Sequence, residues 1–261
     1  MASAPQASNL PLFYNDLVPL SSNDHAEWRA KPAESADFLK DHHAVPLTSD
    51  EFIQAGRYFP IVFSVGENPV PLALMGLNEG VNTFLDADNK FSGPVYVPAY
   101  IRRYPFMLAR LNPQSEELSL CFDPTSGVIG EFKDGEKLFD NGEPTQPVQE
   151  ILGFCEQFEQ AGARTGQFME DLAKLEILMD GEVAIQQEGV EQPFVYRGFQ
   201  MVDENKLREL RGDQLRKLAQ NGMLPLIYAH LFSLQLMREI FAAQVQQGKM
   251  PPQMPAPAGE A

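Results

Sequence analysis

One change of pattern along the chain predicts an α+β fold, with a β-rich N-terminal portion packed with a helical C-terminal portion. Before residue 145, short apolar segments alternate with Pro, Gly, Asn and Asp, the punctuation of strands and tight turns. After it, apolar residues recur at three- and four-residue spacing, the period of a helix that buries one face. Composition sets the scale: 261 residues, 44% hydrophobic and 10% aromatic, suffice for one large domain or two intimate ones.

In chain order, residues 1–9 are expected to be disordered. Residues 10–145 form the mixed, mainly β portion. Thr48 and Glu51 have the spacing of a capping box, opening a short helix that ends at Gly56. Strand signals follow at 58–64, 69–75, 82–85, 95–97 and 118–122. Residues 146–247 form the mainly helical portion, expected to share the same core. Val148, Ile151, Leu152, Cys155 and Phe158, then Phe168, Leu172, Leu175 and Leu178, mark two helices joined around 161–166 or one long helix kinked there. A hairpin runs from 183–185 to 194–196 with its turn near Glu188 and Gly189. Asp203 and Asp213 read as N-caps, Gly212 and Gly222 as helix stops, and a final helix spans about 224–247. Residues 248–261, rich in Pro, Ala and Gly, read as a flexible tail.

Twenty basic against 36 acidic residues give a net charge of −16. Nucleic acid is therefore not expected as a partner, because affinity for the phosphate backbone rests on Lys and Arg displacing counterions. An anionic membrane surface would be repelled in the same way. The most apolar run, residues 223–237, is 15 residues long and contains Pro225, His230 and Gln235. A spanning helix needs about 20 mostly apolar residues, so this run reads as a core helix and no membrane insertion is expected. The first nine residues lack the basic and apolar regions of a secretory signal, which points to a cytoplasmic protein. Cys121 and Cys155 match neither a paired metal motif nor a disulfide framework, so they read as buried free thiols.

One segment stands out, Gly93-Pro-Val-Tyr-Val-Pro-Ala-Tyr-Ile-Arg-Arg-Tyr-Pro-Phe106, with two arginines and three tyrosines among prolines. Read as extended chain, it places Tyr100, Arg102 and Tyr104 on one face and Ile101 and Arg103 on the other. Arginine offers a planar fork of donors matched to carboxylate or phosphate, and flanking tyrosines add stacking and hydroxyl contacts. This makes Tyr100, Arg102, Arg103 and Tyr104 candidates for binding a small anionic ligand or a peptide carboxylate. The alternative is internal pairing of the arginines with acidic residues, Pro98 and Pro105 shaping a strand edge.

Several short motifs occur in one order: Leu10-Pro-Leu-Phe-Tyr14, Ala44-Val-Pro-Leu47, Tyr58-Phe-Pro-Ile-Val-Phe63, the segment from Tyr96 to Phe106, Leu138-Phe139 with Gly142-Glu-Pro-Thr145, Gly198-Phe199 to Asp203-Glu204, and Tyr228-Ala-His-Leu231. In this order the chain resembles the bacterial SapC family over residues 10–244. The family takes its name from a surface-layer-associated locus. The resemblance implies an accessory role in surface-layer or cell-surface protein handling, and does not by itself supply an activity.

Chemistry-bearing residues elsewhere give weaker signals. His230, in the apolar final helix, is a candidate ligand-binding or proton-transfer group because histidine titrates near neutrality, and equally a core histidine. His42 and His43 are adjacent and His25 is distant, so no helical pair at zinc spacing exists. The run Asp86-Ala-Asp-Asn-Lys-Phe-Ser-Gly93 opens with the acidic spacing of a calcium loop. Its twelfth position is Val97 where a bidentate glutamate is needed, so a hairpin turn is expected instead. Asp134, Glu136, Asp140 and Glu143 lie among glycines and asparagine; they could pair as acid and base in a cleft, but turn chemistry accounts for them with less. The chain has no Gly-x-Ser-x-Gly elbow, Walker loop or dinucleotide Gly-x-Gly-x-x-Gly.

The leading functional expectation is a non-enzymatic binding or accessory protein with a protein or peptide partner, and with no metal or cofactor. The alternative is an enzyme of unrecognised class using His230 with a carboxylate such as Asp203.

Overall fold

Ile61, Val62 and Phe63 are three consecutive large apolar residues, and a strand without a polar face has to be covered on both sides. The computed structural model describes residues 10–250 except 113, 115, 116, 188 and 191, and it places Ile61–Phe63 at the centre of a five-stranded sheet. In spatial order the strands are Leu178–Ile185, Phe194–Val202, Ile61–Phe63, Pro71–Leu74 and Ala44–Pro46, every neighbouring pair antiparallel. Ile61, Phe63 and Ala73 enter the main core on one face. Val62, Leu74 and Phe199 enter a second cluster on the other, closed by Met237 and Ile240.

The helices are α1 (Phe52–Ala55), α2 (Ala99–Arg102), α3 (Gln146–Lys174), α4 (Glu204–Glu209), α5 (Gly212–Gln220), α6 (Met223–Ser233) and α7 (Met237–Gln246). The chain is thus α+β, rich in strands before residue 145 and helical after it, apart from the hairpin. The main core draws Leu39, Phe52 and Phe59 from the first portion and Phe168, Leu172 and Ile227 from the second. A third cluster of Phe122, Ile129, Leu138, Phe139 and Val148 lies by the smaller sheets. Among the described residues no helix is long and apolar enough to cross a membrane. The expected N-terminal segment 1–9 and residues 251–261 of the expected tail lie outside the described residues.

The capping box of Thr48 and Glu51 is present, opening a 3₁₀ turn that runs into α1, and Gly56 ends that helix. Residues 146–174 form one continuous helix without a break at 161–166, because its inner face from Val148 through Cys155, Ala161 and Thr165 to Leu172 is buried throughout. The hairpin is longer than expected, and its turn near Gly189 has Glu188 outside the described residues. Its register shifts after Gly181, where an added Cβ would lie 2.0 Å from the Phe199 ring, so only glycine allows this approach.

Six local expectations are corrected. Residues 82–85 are not a strand, since the Asn82 amide donates to the Leu39 and His42 carbonyls and its oxygen accepts from Phe84 N, fixing a loop. Residues 95–97 are likewise non-strand and lead into α2. Leu178 opens a strand rather than extending α3. Asp213 lies inside the first turn of α5, whose N-cap is Arg211, so Gly212 starts a helix instead of stopping one. The final helix breaks after Ser233, whose hydroxyl donates back to the His230 carbonyl (2.6 Å) while accepting from Ile61 N (2.8 Å), and a 3₁₀ turn at Leu234–Leu236 follows. Asp203 does cap α4, and Gly222, at φ 80°, takes the left-handed conformation between α5 and α6. Asp86 accepts from the amides of Asp88 and Lys90 in a turn closed by a Leu85–Phe91 bridge.

Candidate functional site

Pro98 and Pro105 bracket the arginine segment, and between them the chain turns helical rather than extended. The Pro98 carbonyl accepts from Ile101 N and Arg102 N, and the Ala99 carbonyl from Arg103 N, all at 3.0–3.1 Å. In a helical turn, residues three and four apart share a face. Tyr100 and Arg103 therefore turn inward together and Arg102 points to solvent, which overturns the alternation expected of a strand.

What holds this turn in place is Glu51. Its carboxylate is buried and accepts from Thr48 N (3.0 Å), Thr48 Oγ1 (2.8 Å), the Tyr96 hydroxyl (2.9 Å) and Ala99 N (2.6 Å). One carboxylate thus closes its own capping box and also takes an amide from the first turn of α2. Burial, then the neighbouring Glu51 charge, pushes the Tyr96 hydroxyl up to about 12, so it stays a neutral donor. Next to Glu51, Ser49 N donates to Thr165 Oγ1 (2.8 Å), docking this corner onto α3.

The two arginines meet α3 one turn apart. Arg103 is 4% exposed and lies between the rings of Tyr100 and Phe158, 4.3 and 4.4 Å from their centroids. Glu159 Oε1 lies 3.6 Å from its Nη1, and its Nε is buried without a hydrogen-bond partner. Arg102 lies 4.9 Å from the Phe154 centroid and 5.9 Å from that of Tyr96, and its Nε donates to the Val97 carbonyl at 3.0 Å. Among the described residues Arg102 makes no ion pair.

Tyr100 is buried, and its hydroxyl donates to the Leu12 carbonyl at 3.2 Å. Tyr104, half-buried, packs on Phe38 with ring centroids 4.2 Å apart and faces a separate recess. His230 lies apart from all of these, fully buried and stacked on Phe63. Its Nε2 accepts from Val202 N (3.0 Å), which puts the proton on Nδ1, donated to the Ile61 carbonyl at 2.8 Å. Burial lowers its pKa to about 4. Asp203, named beside it in the enzymatic reading, spends its carboxylate on the amides of Asn205 and Lys206. The structure therefore brings Tyr100 and Arg103 together, sets Arg102 on the outer face of the same turn, and leaves His230 in the sheet–helix core. Burial pushes the thiols of Cys121 and Cys155 up to about 11, so neither is a ready nucleophile at neutral pH. Among the described residues no group of three or more His, Cys, Asp or Glu is placed to hold a metal ion.

Sequence reasoning missed Phe154 and Glu159, and it read Phe158 only as a core position. The available signal was the four-residue spacing of Phe154 and Phe158, which puts both rings on one face of α3 beneath consecutive arginines.

These features define an α+β protein whose arginine-bearing turn is fixed by one buried glutamate and seated on a long helix. The chain belongs to the SapC family, whose model matches residues 20–240. That span contains Glu51, α2 and the seating residues of α3. No curated protein and no solved structure matches the chain.

Proposed function

We propose that this protein is a non-enzymatic binding or accessory protein that presents Arg102 to an anionic group of a peptide or protein partner, a terminal carboxylate or an acidic side chain. The observation that supports it is the state of Arg102: exposed, oriented by two aromatic faces and a backbone carbonyl, and free of an ion pair among the described residues in a chain with 16 more acids than bases. Holding the guanidinium beforehand reduces the entropy lost when it engages a carboxylate. Arg103 supports the same reading indirectly by anchoring the inner face of the turn. The setting is cytoplasmic, in the handling of surface-layer or other cell-surface proteins. Capture from a host extract by wild type and Arg102→Ala in parallel, with bound species identified by mass spectrometry, tests this. The reading expects a species retained by wild type, lost by Arg102→Ala, and displaced by an excess of a free carboxylate peptide but not by its amide. Equal retention by both proteins, with both folded, would overturn it.

A further inference from the structure

A helix on the outside of a globular protein buries its apolar stripe and turns polar residues to water, and α6 does the reverse. Its polar residues His230 and Ser233 are fully buried and bonded to the central strand at Ile61. Pro225, Tyr228, Ala229 and Phe232, at three- and four-residue spacing, form an uncharged stripe on the side away from them. Phe232 is 67% exposed, and its ring stacks on that of Tyr228 with centroids 5.7 Å apart. Across from this stripe α1 and the residues after it present Ile53, 57% exposed, and Arg57, and the two walls line a groove of about 400 Å³. Gly56 lets the walls approach, since an added Cβ there would lie 3.3 Å from the Ala229 carbonyl oxygen. Arg57 is the only charged residue of the lining; it is exposed, and among the described residues it makes no ion pair. We infer that this groove docks an acidic–apolar segment of a partner protein, with a leucine- or phenylalanine-type side chain seated between Phe232 and Ile53 and a neighbouring carboxylate paired with Arg57.

Two independent features fix that chemistry. Covering Phe232 and Ile53 releases water held against hydrocarbon, so the groove selects an apolar group. Arg57 lacks a carboxylate partner in a chain with 16 more acids than bases, and its planar fork of donors matches one supplied from outside. The size selects a segment and not a folded face: a standard interface takes about 20–30 residues a side, and eight residues line this groove. A second copy of the chain is disfavoured on the same count and by charge, since each copy carries −16 and repels the other. The groove shares no residue with the Arg102 turn, so the inference stands apart from that reading.

The test is amide chemical-shift titration of the full chain with N-acetyl-Leu-Phe-Glu-amide, its glutamine counterpart, N-acetyl-Ala-Ala-Glu-amide, and decanoate. The first peptide should move the amides of Ile53, Arg57 and Phe232 in a saturable way, the glutamine peptide should bind about fivefold more weakly, and the alanine peptide should not saturate. Phe232→Ser and Ile53→Ser alter exposed side chains on opposite walls, and each should weaken binding at least about tenfold. Arg57→Gln should erase the preference for glutamate over glutamine, while Arg102→Ala leaves both affinities unchanged. Equal binding of the glutamate and glutamine peptides by the wild type, unchanged affinity in both serine variants, shifts confined elsewhere, or no saturable shift would each overturn the assignment. Tighter binding of decanoate than of the peptide would give the groove to an acyl chain, and concentration-dependent shifts of the same amides without peptide would give it to a second copy; either result also overturns it.

Discussion

The inner and outer faces of α2 carry the same side chain at neighbouring positions and put it to different uses. On the inner face, Arg103 is a structural element: two rings cover its guanidinium and Glu159 approaches it from the rim of α3. On the outer face, Arg102 rests on rings more loosely and leaves its guanidinium edge to solvent. The difference comes from the helical turn and not from residue type, since one step along a helix rotates a side chain by about 100°. An arginine in an acidic chain therefore tells little until the local backbone is known.

That contrast depends on Glu51, and breaking it there should have the largest effect. Glu51→Ala leaves two backbone amides, a hydroxyl and the Tyr96 phenol without their acceptor, and we expect a loss of about 3–4 kcal/mol in urea unfolding. Both arginines should then lose their seats. Arg103→Ala comes next, at about 2–4 kcal/mol, from the emptied space between Tyr100 and Phe158 and the lost ring contacts. Arg103→Met, which refills much of that volume, should recover part of it.

His230 sharpens the comparison from outside α2, as a buried polar group with both nitrogens engaged. Its folded pKa, about 4, lies below its ordinary 6.5, so between those values the unfolded chain binds a proton that the folded chain refuses. Stability is full above pH 6.5 and falls as the pH drops towards 4, by about 3 kcal/mol from this residue. His42 and His43, whose pKa values burial also lowers, act in the same direction. His230→Phe should cost about 2–3 kcal/mol at pH 7, by orphaning Val202 N and the Ile61 carbonyl, and should flatten this slope. An unchanged slope would contradict the assigned state of the ring. The smallest stability effect is expected for Arg102→Ala, at most about 1 kcal/mol, in line with an exposed cation–ring contact.

Parts of this arrangement were legible in the sequence and parts were not. The Thr48–Glu51 capping box is local, three residues apart, and reads directly. Its second task, receiving Ala99 N from 48 residues away, leaves no local trace. Prolines at 98 and 105 were consistent with an extended edge or with a bounded helical turn, and four residues are too few for periodicity to decide. The continuity of α3 was similarly ambiguous, because Gly162 and Gly166 suggest a break yet lie on a face where nothing crowds them. The strands at 61–63 and 71–74 were plain because unbroken apolar runs between turn residues have few other uses. The recess beside Tyr104 joins residues 33–38 to 125–128 across the fold and had no signal at all.

The most direct measurement is a paired one on Arg102→Ala and Arg103→Ala, reading the urea midpoint and the capture of the carboxylate-bearing partner for each. The account predicts that Arg103→Ala loses several kcal/mol, whereas Arg102→Ala keeps its midpoint to within about 1 kcal/mol and loses the partner. Unfolding of Arg102→Ala, or a folded Arg102→Ala that still retains the partner, would contradict it.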